Sequence, residues 1–174
     1  MPPDAMVALV GPSGSGKSTF ARRAFAPHEI LSSDALRELV SGDEADQSAT
    51  DDAFRVLHTI LDMRMRRGLL TVVDATNVEH WARRLLTDIA RRYRRPVAAI
   101  VFDVPVEVAL EHNARRTDKR RPPSAIRRQH RWMRESLPAL IGEGFSPIHF
   151  ITSRDELDAA TIERGMTPPD ARSP

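Results

Sequence analysis

No cysteine occurs in the 174 residues, which excludes disulfides and thiolate zinc sites together. The six histidines never fall at H-E-x-x-H spacing, so a histidine-built metal site is not expected. No stretch approaches the 18 consecutive apolar residues of a membrane span. The opening Met1-Pro2-Pro3-Asp4 lacks a charged segment followed by an apolar one, so no secretory leader is expected and the cytoplasm is the expected compartment. There is no internal repeat. Lysine is nearly missing too: Lys17 and Lys119 are the only two among 26 basic residues, the rest being arginine.

What is present suits one domain with a proper core, since 41% of the residues are apolar. The net charge of +2 is unevenly spread. Between Arg115 and Arg134 nine basic residues face one acid, Asp118, so that window carries +8 and the rest of the chain −6. Such a cluster is either a solvated helix face or a surface for a polyanion. Five apolar runs read as strands: 5–10, 29–32, 69–73, 97–102 and 148–151. Amphipathic segments alternate with them. Phe54, Leu57, Leu61 and Met65 recur at helical spacing, with Val56 and Ile60 widening the stripe, and Trp81, Leu85 and Ile89 do the same further on. Both sets are expected to face the core. Strands alternating with helices predict an α/β domain with a parallel sheet of four or five strands covered on both faces. We expect this domain to span 1–160, with 161–174 a Pro-rich flexible tail or a cut linker.

Residues 11–18, Gly-Pro-Ser-Gly-Ser-Gly-Lys-Ser, fit G-x-x-x-x-G-K-[ST] in full. A strand precedes them and a helix from Lys17 to Phe25 is expected to follow. Glycines let backbone N–H groups turn toward an anion, and the positive helix end adds to that field. Gly11, Ser13, Gly14, Ser15, Gly16 and Thr19 are thus candidates for cradling a triphosphate. Lys17 would reach its β- and γ-phosphates and Ser18 would hold Mg²⁺.

Three strands end in aspartate: Asp34, Asp74 and Asp103. Ligands in such sheets bind beyond the carboxyl ends of the strands, the rim where the phosphate loop also lies. Asp103, followed by Val104-Pro105, is expected to cap the next helix. Asp74 is a candidate for a water-mediated place near Mg²⁺. Asp34 with Arg37 at i, i+3 offers a base for an acceptor hydroxyl and a cation for phosphate on one helix face. The arginine-bearing segment before Pro122-Pro123 reads as a loop between helices. It suits a lid over the triphosphate, with Arg116 as first candidate, Arg115 second, and Arg120 beside them. Arg127, Arg128, Arg131 and Arg134 follow on the next helix.

Five segments, 11–20, 31–37, 43–48, 71–78 and 125–130, resemble the kinase domain of bacterial polynucleotide kinase-phosphatase, over about Met6 to Phe150. More distantly the chain is similar to phage polynucleotide kinase, which shares the D-x-x-R arrangement. The resemblance implies ATP- and Mg²⁺-dependent phosphorylation of a 5′-hydroxyl end of RNA or DNA. It gives Lys17 and Ser18 to ATP·Mg²⁺, Asp34 to the general base, Arg37 to acceptor phosphate and an arginine of the 115–120 loop to the lid. Asp74 and Asn77 would line the acceptor side; of the arginines on the following helix, read apart from the resemblance, Arg127 is the candidate for the acceptor. That family continues into a phosphatase and a ligase-like adenylyltransferase domain, neither of which is in this sequence, so a free-standing kinase or an excised domain is expected. A kinase of a small hydroxyl-bearing metabolite and an ATP-dependent switch without an acceptor are the alternative readings.

Overall fold

The computed structural model describes residues 1–117 and 120–165. Five parallel strands form one sheet: β1 (Met6–Val10), β2 (Ile30–Ser32), β3 (Thr71–Asp74), β4 (Val97–Phe102) and β5 (Ile148–Ile151), in the order β2-β3-β1-β4-β5. Each of the five expected apolar runs is one of these strands. The central β1 is buried along its whole length, as a strand covered on both faces must be.

Alternation along the strands divides the core in two. Met6, Ala8, Val10, Ala99 and Val101 face one layer, built on α2 (Ser33–Ser41), α3 (Thr50–Arg67), α4 (His80–Arg92) and α6 (Pro123–Ser136). Val7, Leu9, Ile100 and Phe102 face the other, which holds Phe20 and Ala21 of α1 (Lys17–Ala24) and Leu157 of α7 (Arg154–Ala159). Between β4 and α6 runs α5 (Val106–Ala114). Helix α3 buries Ala53, Leu57, Leu61 and Met65, the expected stripe. Asp51 and Asp52 lie in its first turn and Arg64, Arg66 and Arg67 in its last, matching the helix dipole.

Helix α4 is turned differently from the expectation. Arg83, Leu86, Thr87 and Ala90 are its buried face, while Trp81 and Leu85 are exposed. The reason is a charge: Arg83, fully buried, donates from Nε and Nη2 to the Glu143 carboxylate, both at 2.7 Å. His80 Nδ1 lies 2.8 Å from the same carboxylate. A paired, hydrogen-bonded guanidinium can be buried where an unpaired one could not.

Residues 161–165, assigned from sequence to the tail, are tied to the body. Ile162 packs on the second core layer. Arg164 makes two 2.8 Å hydrogen bonds to Glu29, Met1 N donates to the Glu163 carbonyl at 2.6 Å and Gly165 N to the Met1 carbonyl at 2.9 Å. The rest of the tail, 166–174, lies outside the described residues. Among the described residues no helix is long and apolar enough to cross a membrane.

Candidate active site

The carboxyl ends of β1, β2 and β3 gather the site at one rim. Register pairs Asp74 with Leu9 on one side and with Ser32 on the other. Asp74 therefore stands between the strand that feeds the phosphate loop and the strand that feeds Asp34. Those two outer strands are about 10 Å apart, two strand spacings. A cleft of about 1030 Å³ opens over this rim and is lined by Lys17, Ser18, Asp34, Arg37, Asp74 and Arg116 among others. That volume is at the upper end of the range for small-ligand sites, about 1000 Å³.

The phosphate loop is built for close approach. Gly14 and Gly16 have φ of 85° and 95°, and a Cβ on Gly14 would sit 2.2 Å from the Ala109 carbonyl oxygen. Only glycine fits both demands. Helix α1 has Gly16 as its N-cap, with no side-chain cap and no acid in its first turn, leaving its leading N–H groups to an anion. Lys17 is buried and folds back, its Nζ donating to the carbonyls of Gly11 and Pro12 at 2.8 and 2.7 Å. Burial pulls its ammonium down to about 8; the Asp74 charge opposes this and the Arg116 charge adds to it. Ser15 is fully buried, with Oγ 3.4 Å from Lys17 Nζ. Ser13, Gly14, Gly16, Ser18 and Thr19 line the cleft.

Two braces of the loop had no signal in spacing or composition. Ser13 N–H donates to Gln129 Oε1 on α6 at 2.9 Å, and His112 Nδ1 on α5 donates to the Gly14 carbonyl at 3.0 Å. Gln129 lies within the 125–130 segment, yet nothing in the chain marks it as a partner 116 residues from Ser13.

Asp34 is in the first turn of α2, whose N-cap is Ser32 rather than Asp34. It is partly exposed to the cleft and ion-paired with the buried Arg37. Arg37 Nε also donates to the Glu44 carbonyl at 2.9 Å. Burial lowers the Arg37 pKa, and the like charge of Arg121 lowers it further against a smaller pull from Asp46. Two guanidinium groups, Arg37 and Arg121, thus converge on one part of the cleft. Arg121 is fixed there by Asn113, which accepts from its backbone N–H at 2.8 Å and donates to its carbonyl at 2.9 Å.

Asp74 is buried at the cleft floor. Asn77 touches the cleft, but its φ is 48° and its Nδ2 donates to the Leu9 carbonyl at 2.8 Å, so the side chain braces β1. The neighbouring Thr76 carbonyl accepts from Gly11 N–H at 2.9 Å. Arg115 and Arg116 line the cleft, Arg115 also pairing with Glu111. Arg120 is not in the cleft wall; its Nε bends back to the Arg116 carbonyl at 2.7 Å. Arg127 is exposed and reaches toward Glu107 at 4.0 Å, while the adjacent Arg128 lines the cleft. One residue along a helix turns a side chain by about 100°, which spacing alone does not phase. Asp103 does not cap α5. Its Oδ2 accepts from Arg134 at 2.6 Å, and α5 begins without a side-chain cap.

Among the described residues no three His, Cys, Asp or Glu side chains cluster as a metal cage. Mg²⁺ needs none, since it is held by one or two hard oxygen donors together with water and substrate phosphates. The Ser18 hydroxyl and the buried Asp74 carboxylate fit that donor set.

Residues 6–140 match the family described as the AAA domain, most of the chain. The chain belongs to the AAA domain family. This AAA domain is an ATP-binding P-loop kinase fold, and solved structures agree with it. A chain of the Pnkp1/Rnl/Hen1 RNA repair complex is similar at 24% identity and TM-score 0.61, over 76% of this chain and 44% of that one. Chaetomium thermophilum Kti12 in complex with ADP-AlF3 is similar at 20% identity and TM-score 0.65, over 84% and 88%. A gluconokinase from Sinorhizobium meliloti 1021 is similar at 17% identity and TM-score 0.56, over 91% and 87%. At these identities the likeness carries the fold alone, and this AAA domain spans under half the length of the repair-complex chain. No curated protein matches the sequence.

Proposed function

We propose that the protein is an ATP-dependent 5′-hydroxyl polynucleotide kinase acting on RNA or DNA ends. The observation that carries this reading is the Asp34–Arg37 pair, joined by Arg121, in the same cleft as the phosphate loop. A carboxylate that faces an acceptor hydroxyl can take its proton, and paired guanidinium groups suit the phosphate of a nucleic acid strand. In the proposed reaction the 5′-oxygen attacks the γ-phosphorus in line. A P–O bond forms to that oxygen, the bond from γ-phosphorus to the β,γ-bridging oxygen breaks, and the hydroxyl proton goes to Asp34. Lys17 and the N–H groups of α1 hold the leaving phosphates, and Arg116 spreads the charge on the transferring group. Mg²⁺ held by Ser18 and Asp74 would supply positive charge against the triphosphate.

The gluconokinase likeness favours a second reading, a small hydroxyl-bearing acceptor. Transfer of γ-labelled phosphate from ATP, with Mg²⁺, to a single strand bearing a 5′-hydroxyl separates the two. Label is expected on that strand and not on the same strand with a 5′-phosphate. Asp34→Ala is expected to lower turnover by about 10²–10⁴-fold while ATP binding persists. Unlabelled strands in the presence of bound ATP would transfer the assignment to a small acceptor.

A further inference from the structure

The fold buries an arginine and leaves a tryptophan out. On α4, Arg83 is fully buried while Trp81, two residues earlier, is 62% exposed. Single exposed apolar side chains are ordinary on a protein surface; what sets Trp81 apart is its place in a cleft wall. Trp81 is in the first turn of α4, directly after the 74–79 loop that bridges Asp74 and the phosphate loop. It lines the cleft together with Arg37, Arg121 and Arg128. Other exposed large apolar side chains among the described residues, such as Leu39, Ile141 and Phe150, lie off the cleft. Phe54, the other aromatic in the wall, is half-buried and packed on the core. Trp132 is covered by the Arg128 guanidinium, 5.1 Å from its ring centroid. Of the two tryptophans, Trp81 is thus the exposed one and the one that lines the cleft.

We infer that Trp81 is a stacking platform for a nucleobase at the 5′ end of the acceptor strand, which makes it an acceptor-specificity residue. The inference rests on the polynucleotide reading above and names how that acceptor is held. A flat, uncovered indole beside guanidinium groups matches the two surfaces of a nucleotide, an aromatic face and a phosphate. Stacking is tolerant of base identity, so the site selects an end that carries a base without selecting its sequence. A purely aliphatic polyol has no face to offer it.

The test compares a 5′-hydroxyl strand with the same strand whose two terminal nucleotides are abasic. Wild-type protein is expected to lose about 5- to 100-fold in kcat/KM on the abasic strand, mostly through KM for the strand, with KM for ATP unchanged. Trp81→Ala is expected to show that loss on the ordinary strand and little further loss on the abasic one. Trp81→Phe should recover most of it. Equal activity of the wild type on both strands overturns the inference without needing any variant. A Trp81→Ala loss that is as large on the abasic strand also overturns it, because a merely structural role predicts that pattern. If the wild type labels no strand at all, the polynucleotide reading itself has failed, an outcome distinct from labelling that ignores the base.

Discussion

Lys17 sits in a contest between its own loop and its ligand. Without an anion its ammonium is held by two loop carbonyls, and burial leaves it with a pKa of about 8. A triphosphate binds the protonated form. Binding therefore raises that pKa, and affinity must fall as pH rises through the value of the empty loop. Each unit above about 8 is expected to cost about tenfold in affinity until the raised pKa of the bound state is passed. Calorimetry with a non-hydrolysable ATP analogue should give a flat Kd from pH 6.5 to 7.5 and a rising one beyond 8. Arg116→Gln should move the break upward, since Arg116 is one of the charges that depress Lys17. A Kd unchanged to pH 9.5 would contradict the assignment. At the same scale, the partners of Asp103 and Arg83 are 31 and 60 residues away, and a residue with a remote partner gives no local sign of it.

At the scale of elements, the return of the chain from α5 to α6 depends on one buried side chain, Asn113. Asn113, in the last turn of α5, clasps Arg121 through both backbone groups, so the return toward α6 is held by two hydrogen bonds of about 0.5–1.5 kcal/mol each. Asn113→Ala is expected to speed tryptic cleavage within 115–121 by about 5- to 100-fold, leaving cleavage elsewhere unchanged. Tryptic patterns identical to the wild type would refute the clasp. The elements themselves were legible: β4 and β5 match the sequence bounds residue for residue, and α1 ends one residue short of Phe25. Phase was not. The stripe through Trp81, Leu85 and Ile89 treats apolar as inside, whereas α4 turns to satisfy Glu143 with Arg83. Arg127 and Arg128 are indistinguishable by composition, and only the packing of Ile126 and Met133 decides which of them meets the cleft. Lys17, Ser18, Asp34, Arg37 and Asp74 could be located because strand ends and a complete phosphate loop tie them to one rim. Gln129 and His112 could not, because the contacts that recruit them are made by backbone groups of the loop.

Across the whole molecule, the strand order β2-β3-β1-β4-β5 rests on pairings between distant segments, which local patterning does not encode. The charged cluster under α4 joins those distant parts. Glu143 is buried against Arg83 and His80; burial alone would raise its pKa, but the Arg83 and His80 contacts outweigh this and lower it. A lowered carboxyl pKa adds stability that is complete above the ordinary value of about 4.5 and is lost as pH falls through the folded one. Glu143→Gln is expected to cost about 3–5 kcal/mol at pH 7 by stranding a buried guanidinium. It should also flatten the acid limb of a melting-temperature profile taken from pH 6 to 3. An acid limb as steep as in the wild type would exclude Glu143 as its source.

The clasp between Met1 and residues 163–165 has a topological consequence. Residues 1 and 165 meet in space, so a short peptide joining them would turn the domain into a closed ring with little strain. The ring could then be opened elsewhere, for instance at the turn around Arg94, which lies between α4 and the start of β4 and so at the opposite end of the sheet from the cleft. Covalent continuity at the present ends is therefore separable from the arrangement of the rim. The same adjacency lets the domain be spliced as an insert into a loop of another protein with its cleft still facing outward.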